Sequence, residues 1–212
     1  MPTAVRTGHE KVGWAPERVA LWLVGGTMAY NSLEAVIAVW AGREAESIAL
    51  VGFGLDSVIE LAAGAILYWR LLSERRGLPE EEVETREIRA RRFVGATFLA
   101  LAAYVLSQAA WTLWVGRPPE ESLLGIALAV ASLVLMPLIA WGKFRTARQL
   151  KSRALEAEAK ETLACAYLSF TLLLGLLGNA LAGWWWADPV AAVLMVPWLV
   201  REGLEGIREG EF

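Results

Sequence analysis

The chain reads as an all-α polytopic membrane protein with six transmembrane helices and both termini in the cytoplasm. Three observations predict this. Of 212 residues 56% are apolar and 11 are Trp, at a mean hydropathy of +0.43, more apolar than a soluble domain. Apolar stretches near the roughly 20 residues that cross about 30 Å of hydrocarbon recur six times. Finally, 18 of the 20 Lys and Arg fall in the N-terminal stretch, the second and fourth links and the tail, leaving Arg43 and Arg117 opposite, as the positive-inside rule requires.

The first eighteen residues form a polar cytoplasmic leader (1–18) without a cleavable signal, so the first span serves as its own insertion signal. His9, the only histidine, belongs to this leader and is expected at the surface. The membrane domain is expected over 19–209, with spans near 19–41, 48–71, 93–115, 122–142, 161–185 and 188–203 and no cytoplasmic domain after them. The sixth apolar run is the shortest and spans only if Arg201 and Glu202 reach the interface. Trp40, Tyr68 with Trp69, Trp111 with Trp114, Trp141 and the run Trp184 to Trp186 gather near span ends as an aromatic belt.

The second link passes Gly77-Leu78-Pro79 and continues with Glu80, Glu81 and Glu82 and then Arg86, Arg89, Arg91 and Arg92. Acid at the start and base at the end suit a helix dipole, and Glu82–Arg86 and Glu87–Arg91 have i,i+4 spacing. A solvated continuation of span three is expected, with a docking or gating helix as the alternative. The link from Lys143 to Arg153 carries no acid and is expected against anionic lipid head groups. Cys165 is the only cysteine, so no intramolecular disulfide can form and a thiol or thiolate is available.

A motif occurs twice, 105 residues apart: Ser47, Ala49, Leu50, Asp56 and Glu60, then Ser152, Ala154, Leu155, Glu161 and Cys165. Each copy ends in two metal-ligand residue types four apart, which a helix places on one face. Two such faces turned toward each other supply four donors to one cation. Ionisable groups at membrane depth cost on the order of 3 kcal/mol unless paired or wetted, so function is sought here. The bland alternative for Asp56 and Glu60 is a protonated carboxyl pair bonded to backbone or Ser57; for Cys165 it is a small buried hydrophobe. Hydropathy puts Glu161 and Cys165 near the end of span five, so the pairs meet only if that helix begins earlier, near Arg153.

Asn31 and Glu34, three apart on span one, form a candidate second layer or access path, together with Glu158 and Lys160; interhelical bonding is the alternative for the first two. Ser107, Gln108, Ser132 and Asn179 are expected to hold helices together. Pro137 and Pro197 lie within spans four and six.

Around these motifs the chain resembles the cation diffusion facilitator family of divalent-metal transporters. The likeness rests on Ser47-Ile48-Ala49-Leu50 leading to Asp56 and Glu60, Ser152-Arg153-Ala154-Leu155 leading to Glu161 and Cys165, Glu158 at the family's upstream acid, and Asp188-Pro189 opening the last span. It covers about residues 18 to 209. The resemblance implies that Asp56, Glu60, Glu161 and Cys165 bind a transported metal, and it implies a homodimer. The usual histidine is absent from both pairs, and the family's domain after span six is not matched, so this reads as a short form. Gly95, Ala96 or the small residues of span six would allow close approach in a dimer held by its spans.

Three carboxylates favour Mn²⁺, Fe²⁺ or Mg²⁺, one thiolate pulls toward Zn²⁺, Cd²⁺ or Co²⁺, and four donors around a tetrahedral ion fit Zn²⁺ best. With all four ligands ionised the Zn²⁺ site would be −2, which a retained proton or a cation such as Lys160 relieves. Burial and crowding disfavour unpaired charge, so protons load the emptied site and returning metal displaces them. The expected function is therefore proton-coupled export of a divalent metal across the cell membrane. The rival is a non-transporting scaffold or metal-responsive sensor on the same fold. No serine–histidine set or cofactor loop suggests an enzyme, and the basic residues sit at bilayer borders, not in a nucleic-acid site.

Overall fold

The computed structural model describes residues 16–75, 80–116 and 119–208. Most of the leader, His9 included, the residues Gly77, Leu78 and Pro79, and Arg117 lie outside the described residues. Six helices follow one another: α1 Pro16–Glu44, α2 Ile48–Arg75, α3 Glu80–Val115, α4 Leu123–Leu150, α5 Arg153–Ala182 and α6 Ala187–Arg208. No strand occurs among the described residues. Helices α2 to α5 are each long and apolar enough to cross a membrane. At 1.5 Å per residue α1 and α6 are about 43 and 33 Å long, sufficient in length, but they do not meet the same test of apolarity. Both are packed lengthwise on the others, α1 against α2 and α4, α6 against α3 and α5.

Each helix runs past at least one end of the apolar stretch that announced it, although α5 stops at Ala182, short of the expected 185. The largest extensions are at the basic links. Helix α3 begins at Glu80, so the charged stretch continues span three as expected; most side chains of the two expected ion pairs lie outside those described. Helix α4 continues through the basic run to Leu150, and α5 starts at Arg153, eight residues before Glu161. The fourth link is only the two residues Lys151 and Ser152.

The repeated serines explain this economy. Ser47 accepts the Leu50 N–H at 3.1 Å and Ser152 accepts the Leu155 N–H at 3.3 Å, each capping the helix it precedes. Before each lies a non-glycine residue in the left-handed region, Glu46 at φ 51° and Lys151 at φ 52°. The serine N–H groups close back onto carbonyls five residues earlier, Gly42 at 2.9 Å and Ala147 at 3.1 Å. That is the ending that satisfies the last carbonyls of one helix while reversing the chain into the next. The motif thus encodes two copies of one tight helical hairpin, α1–α2 and α4–α5.

Contacts sort the ends of the bundle. Glu120 N–H donates to the Ala45 carbonyl at 2.7 Å and the Asn179 amide to the Pro119 carbonyl at 2.9 Å. Asp188, at the start of α6, accepts from Ser47 Oγ at 2.5 Å, Ile48 N–H at 2.9 Å and Ala49 N–H at 3.4 Å, so a carboxylate from α6 faces the positive N-terminus of α2. The first, third and fifth links therefore share one end. The α4–α5 hairpin, the start of α1 and the end of α6 share the other, and α2 runs antiparallel to α5.

Helices α1, α2, α4 and α5 form one four-helix group; α3 and α6 pair beside it against α2 and α5. The α3–α6 seam is a backbone contact. A Cβ on Gly95 would stand 2.8 Å from the Gly203 carbonyl, and one on Gly206 3.0 Å from the Gly95 Cα. Gly95 and the small residues of α6 therefore pack on each other within the chain, which corrects their expected role in joining two copies. Ser107 is also corrected: it is exposed and bonds the Tyr104 carbonyl of its own helix at 2.8 Å. Asn179 joins separate segments as expected.

Candidate metal centre

Helices α2 and α5 touch in the middle of the four-helix group, and the two candidate pairs lie on these two helices. Asp56 is 2% exposed, Cys165 is fully buried, and Glu60 and Glu161 are partly exposed. Glu60 lies within electrostatic reach of Asp56 and Glu161, and Cys165 within reach of Glu60 and Asp56. The four donors share one region but are not closed on a point: among the described residues no three His, Cys, Asp or Glu side chains stand as a ready-made metal-holding group.

Helix α1 lies against this region with its polar face. Glu34 is 1% exposed and accepts from Ser57 Oγ at 2.8 Å and from Ser132 Oγ, which in turn meets the Tyr30 hydroxyl at 2.6 Å. Its Oε2 lies 3.9 Å from Cys165 Sγ. Asn31 donates from Nδ2 to Glu60 Oε2 at 3.0 Å. The pair three apart on span one therefore touches both halves of the repeat, and Ser57 serves Glu34 instead of Asp56 or Glu60. Two oxygens, Asn31 Oδ1 and Asp56 Oδ1, are buried without a donor.

Glu161 borders a cavity of about 170 Å³ between α2, α3, α5 and α6, shared with Glu158, Lys160, Arg91, Glu202 and Gly206. It lies toward the end of the bundle where α6 finishes. The opposite end is bridged by Ser47, Asp188 and the link contacts.

Lys160 is exposed and pairs with Glu156 at 3.3 Å, so it edges the cavity instead of neutralising the donors. The nearer cations are Arg91 of α3, within electrostatic reach of Glu161, and Lys143. The Lys143 side chain is fully buried, and Nζ donates to Glu158 Oε1 and Thr162 Oγ1, both at 2.8 Å. Glu60 and Glu161 both lie within its electrostatic reach. The expectation that Lys143 meets lipid head groups is corrected, because α4 continues past Gly142 and turns this position inward. A basic run near a membrane border gave no signal of it; Tyr30 and Thr162 were missed for the same reason, as each is an ordinary span residue until its partners are placed.

A multi-pass membrane bundle with an acidic, thiol-containing centre at the meeting of two repeat halves is the class this geometry defines. Residues 27–210 match the family model described as the cation efflux transmembrane domain, and the chain belongs to that family. It is 27% identical over 150 residues to an uncharacterized transporter of Synechocystis sp., covering 69% of this chain and 48% of that protein. It is 28% identical over 155 residues to transmembrane protein 163 of Xenopus laevis, with 73% and 54% covered. A cation-efflux pump, FieF, of Shewanella oneidensis is 26% identical over 114 residues, with 50% and 38% covered. The chain spans about half the length of these curated relatives or less.

Proposed function

We propose that the chain exports a divalent transition-metal cation from the cytoplasm in exchange for protons, through Asp56, Glu60, Glu161 and Cys165 between α2 and α5. The observation that carries this is the cluster of buried acceptors where the repeat halves meet, reached on one side by the Glu161 cavity and bridged on the other by Ser47 and Asp188. Family membership supports cation transport. Four donors with one thiolate suit Zn²⁺ or a similar ion.

The basic residues gather at the cavity end, so that end faces the cytoplasm by the positive-inside rule and the arrangement is inward-open. Metal reaching the cavity meets Glu158 and Glu161 first, then Glu60, Cys165 and Asp56. Buried acids left without metal take protons, and metal binding displaces them. Rocking of the bundle then exposes the same donors to the other side.

Purified protein in liposomes tests this. A metal gradient drives a pH change across the wild-type membrane, and Asp56→Ala or Glu161→Ala abolishes it. Unchanged flux in both variants rules the site out. A scaffold or sensor would bind metal without producing the pH change.

A further inference from the structure

We infer that the cation site is built on three helices, with α1 supplying the Asn31 amide oxygen as a ligand beside the donors of α2 and α5. This rests on the proposed reading of Asp56 and Cys165 as ligands. Two atoms carry it: Asn31 Oδ1 and Asp56 Oδ1, each on a residue 2% exposed and each without a hydrogen-bond donor. Glu34, the neighbouring alcohols and one oxygen of Glu60 are engaged. Glu34 takes the hydroxyls of Ser57 and Ser132, and Glu60 takes the Asn31 amide. A buried acceptor left unpaired costs about 1–3 kcal/mol, and hydrocarbon offers it nothing.

Both orphans are oxygens in one acidic centre; a proton on Asp56 satisfies the empty site, and a cation is the group that would complete both oxygens at once. The amide of Asn31 is committed at Nδ2 to Glu60, which leaves Oδ1 as the free end of the same planar group. Asp56 stands one turn from Glu60 on the same face of α2. The two unpaired oxygens thus belong to the residue bonded to Glu60 across helices and to the residue one turn from it on α2. Glu34 has a different part: both its oxygens are held by hydroxyls, and Oε2 faces the Cys165 sulfur at 3.9 Å, so it positions the thiol.

The resulting donor set is Asn31, Asp56, Glu60 and Cys165, joined by Glu161 from the cavity side. A neutral carbonyl raises the coordination number without adding negative charge to a site already rich in it. The fifth donor shifts the Zn²⁺-like preference of the four-donor set toward a first-row divalent ion that accepts five or six ligands, such as Mn²⁺, Fe²⁺ or Co²⁺.

Co²⁺ titration of the full chain in lipid nanodiscs, read by visible absorption, tests this without any transport step. Wild type should give the weak ligand-field bands of a five- or six-coordinate ion plus a thiolate charge-transfer band. Asn31→Ala should lower Co²⁺ affinity about tenfold or more and strengthen the bands toward tetrahedral intensity. Asn31→Asp, nearly isosteric, should keep binding and shift the bands; this variant decides if the alanine form does not fold, and unshifted bands overturn the inference. Unchanged affinity and spectrum in Asn31→Ala, with binding lost in Asp56→Asn and Cys165→Ser, overturns the α1 ligand and leaves the two-helix site standing. Unchanged binding in all of them overturns both.

Discussion

Lys143 and Glu158 form an ion pair between α4 and α5, with Nζ and Oε1 2.8 Å apart, the lysine side chain wholly removed from solvent and the glutamate at the cavity wall. The third member, Thr162, anchors the ammonium from the next turn of α5. A pair so deep in an apolar bundle persists because each partner is hydrogen-bonded and compensated.

Removing one partner strands the other. Lys143→Met should destabilise the protein by about 3–5 kcal/mol, and Glu158→Met comparably. The double substitution should recover most of the loss. Thermal unfolding in detergent, followed by Trp fluorescence, measures all three, and a double variant no better than either single one would show that the pair is not coupled.

The two hairpin turns differ in one respect, because Asp188 caps only the first. Ser152→Ala should lower stability by about 1 kcal/mol, the ordinary loss of a helix cap. Asp188→Ala removes three hydrogen bonds to the start of α2 and should lower the melting temperature by more. Equal shifts would mean that the cross-helix carboxylate adds nothing to the local cap.

Gly203→Ala should lower stability by about 1–3 kcal/mol, since the new Cβ would stand 2.7 Å from Leu99 and 2.9 Å from the Gly95 carbonyl. Gly26→Ala is the control. It sits exposed in α1 with nothing within 4 Å of the added atom, and it should be neutral or stabilising by about 0.5–1 kcal/mol.

Accessibility separates the two faces. In a Cys165→Ser background, Ala157→Cys lines the cavity and should react with a membrane-impermeant maleimide only from the cytoplasmic side. Thr112→Cys, beside the α1–α2 turn, should react only from the other side. The native Cys165 is fully buried and should stay unlabelled by either route. Labelling of Ala157→Cys from outside would reverse the proposed orientation.

The helices and their repeat were legible because both carry local signals: apolar runs of membrane length, and a spacing of 105 that holds from the turn residues to the ligand pairs. The start of α5 was recoverable because Ser152 is a cap, although hydropathy placed the span later. Lys143 was not legible. Its burial depends on where α4 ends and on an acid fifteen positions away across a turn, and a lysine among arginines at a membrane border ordinarily faces water or lipid. Tyr30 was hidden likewise, whereas Ser132 was expected to hold helices together and does, through Glu34 and Tyr30 of α1. Asp188 was legible as a helix opener but not as the cap of a different helix.

Backbone against backbone at Gly95, Gly203 and Gly206 leaves no side-chain cushion between α3 and α6. Cylinders in such contact cannot slip past one another without collision, so the two must travel as a single lever. The proposed rocking would then have to be taken up at the borders of this pair with the other four helices. Helix α6 also sits close on α5, where a Cβ on Gly175 would stand 2.6 Å from Ala191 Cβ, so the bearing is the border of α3 with α2, where Gly52 meets the Val105 side chain.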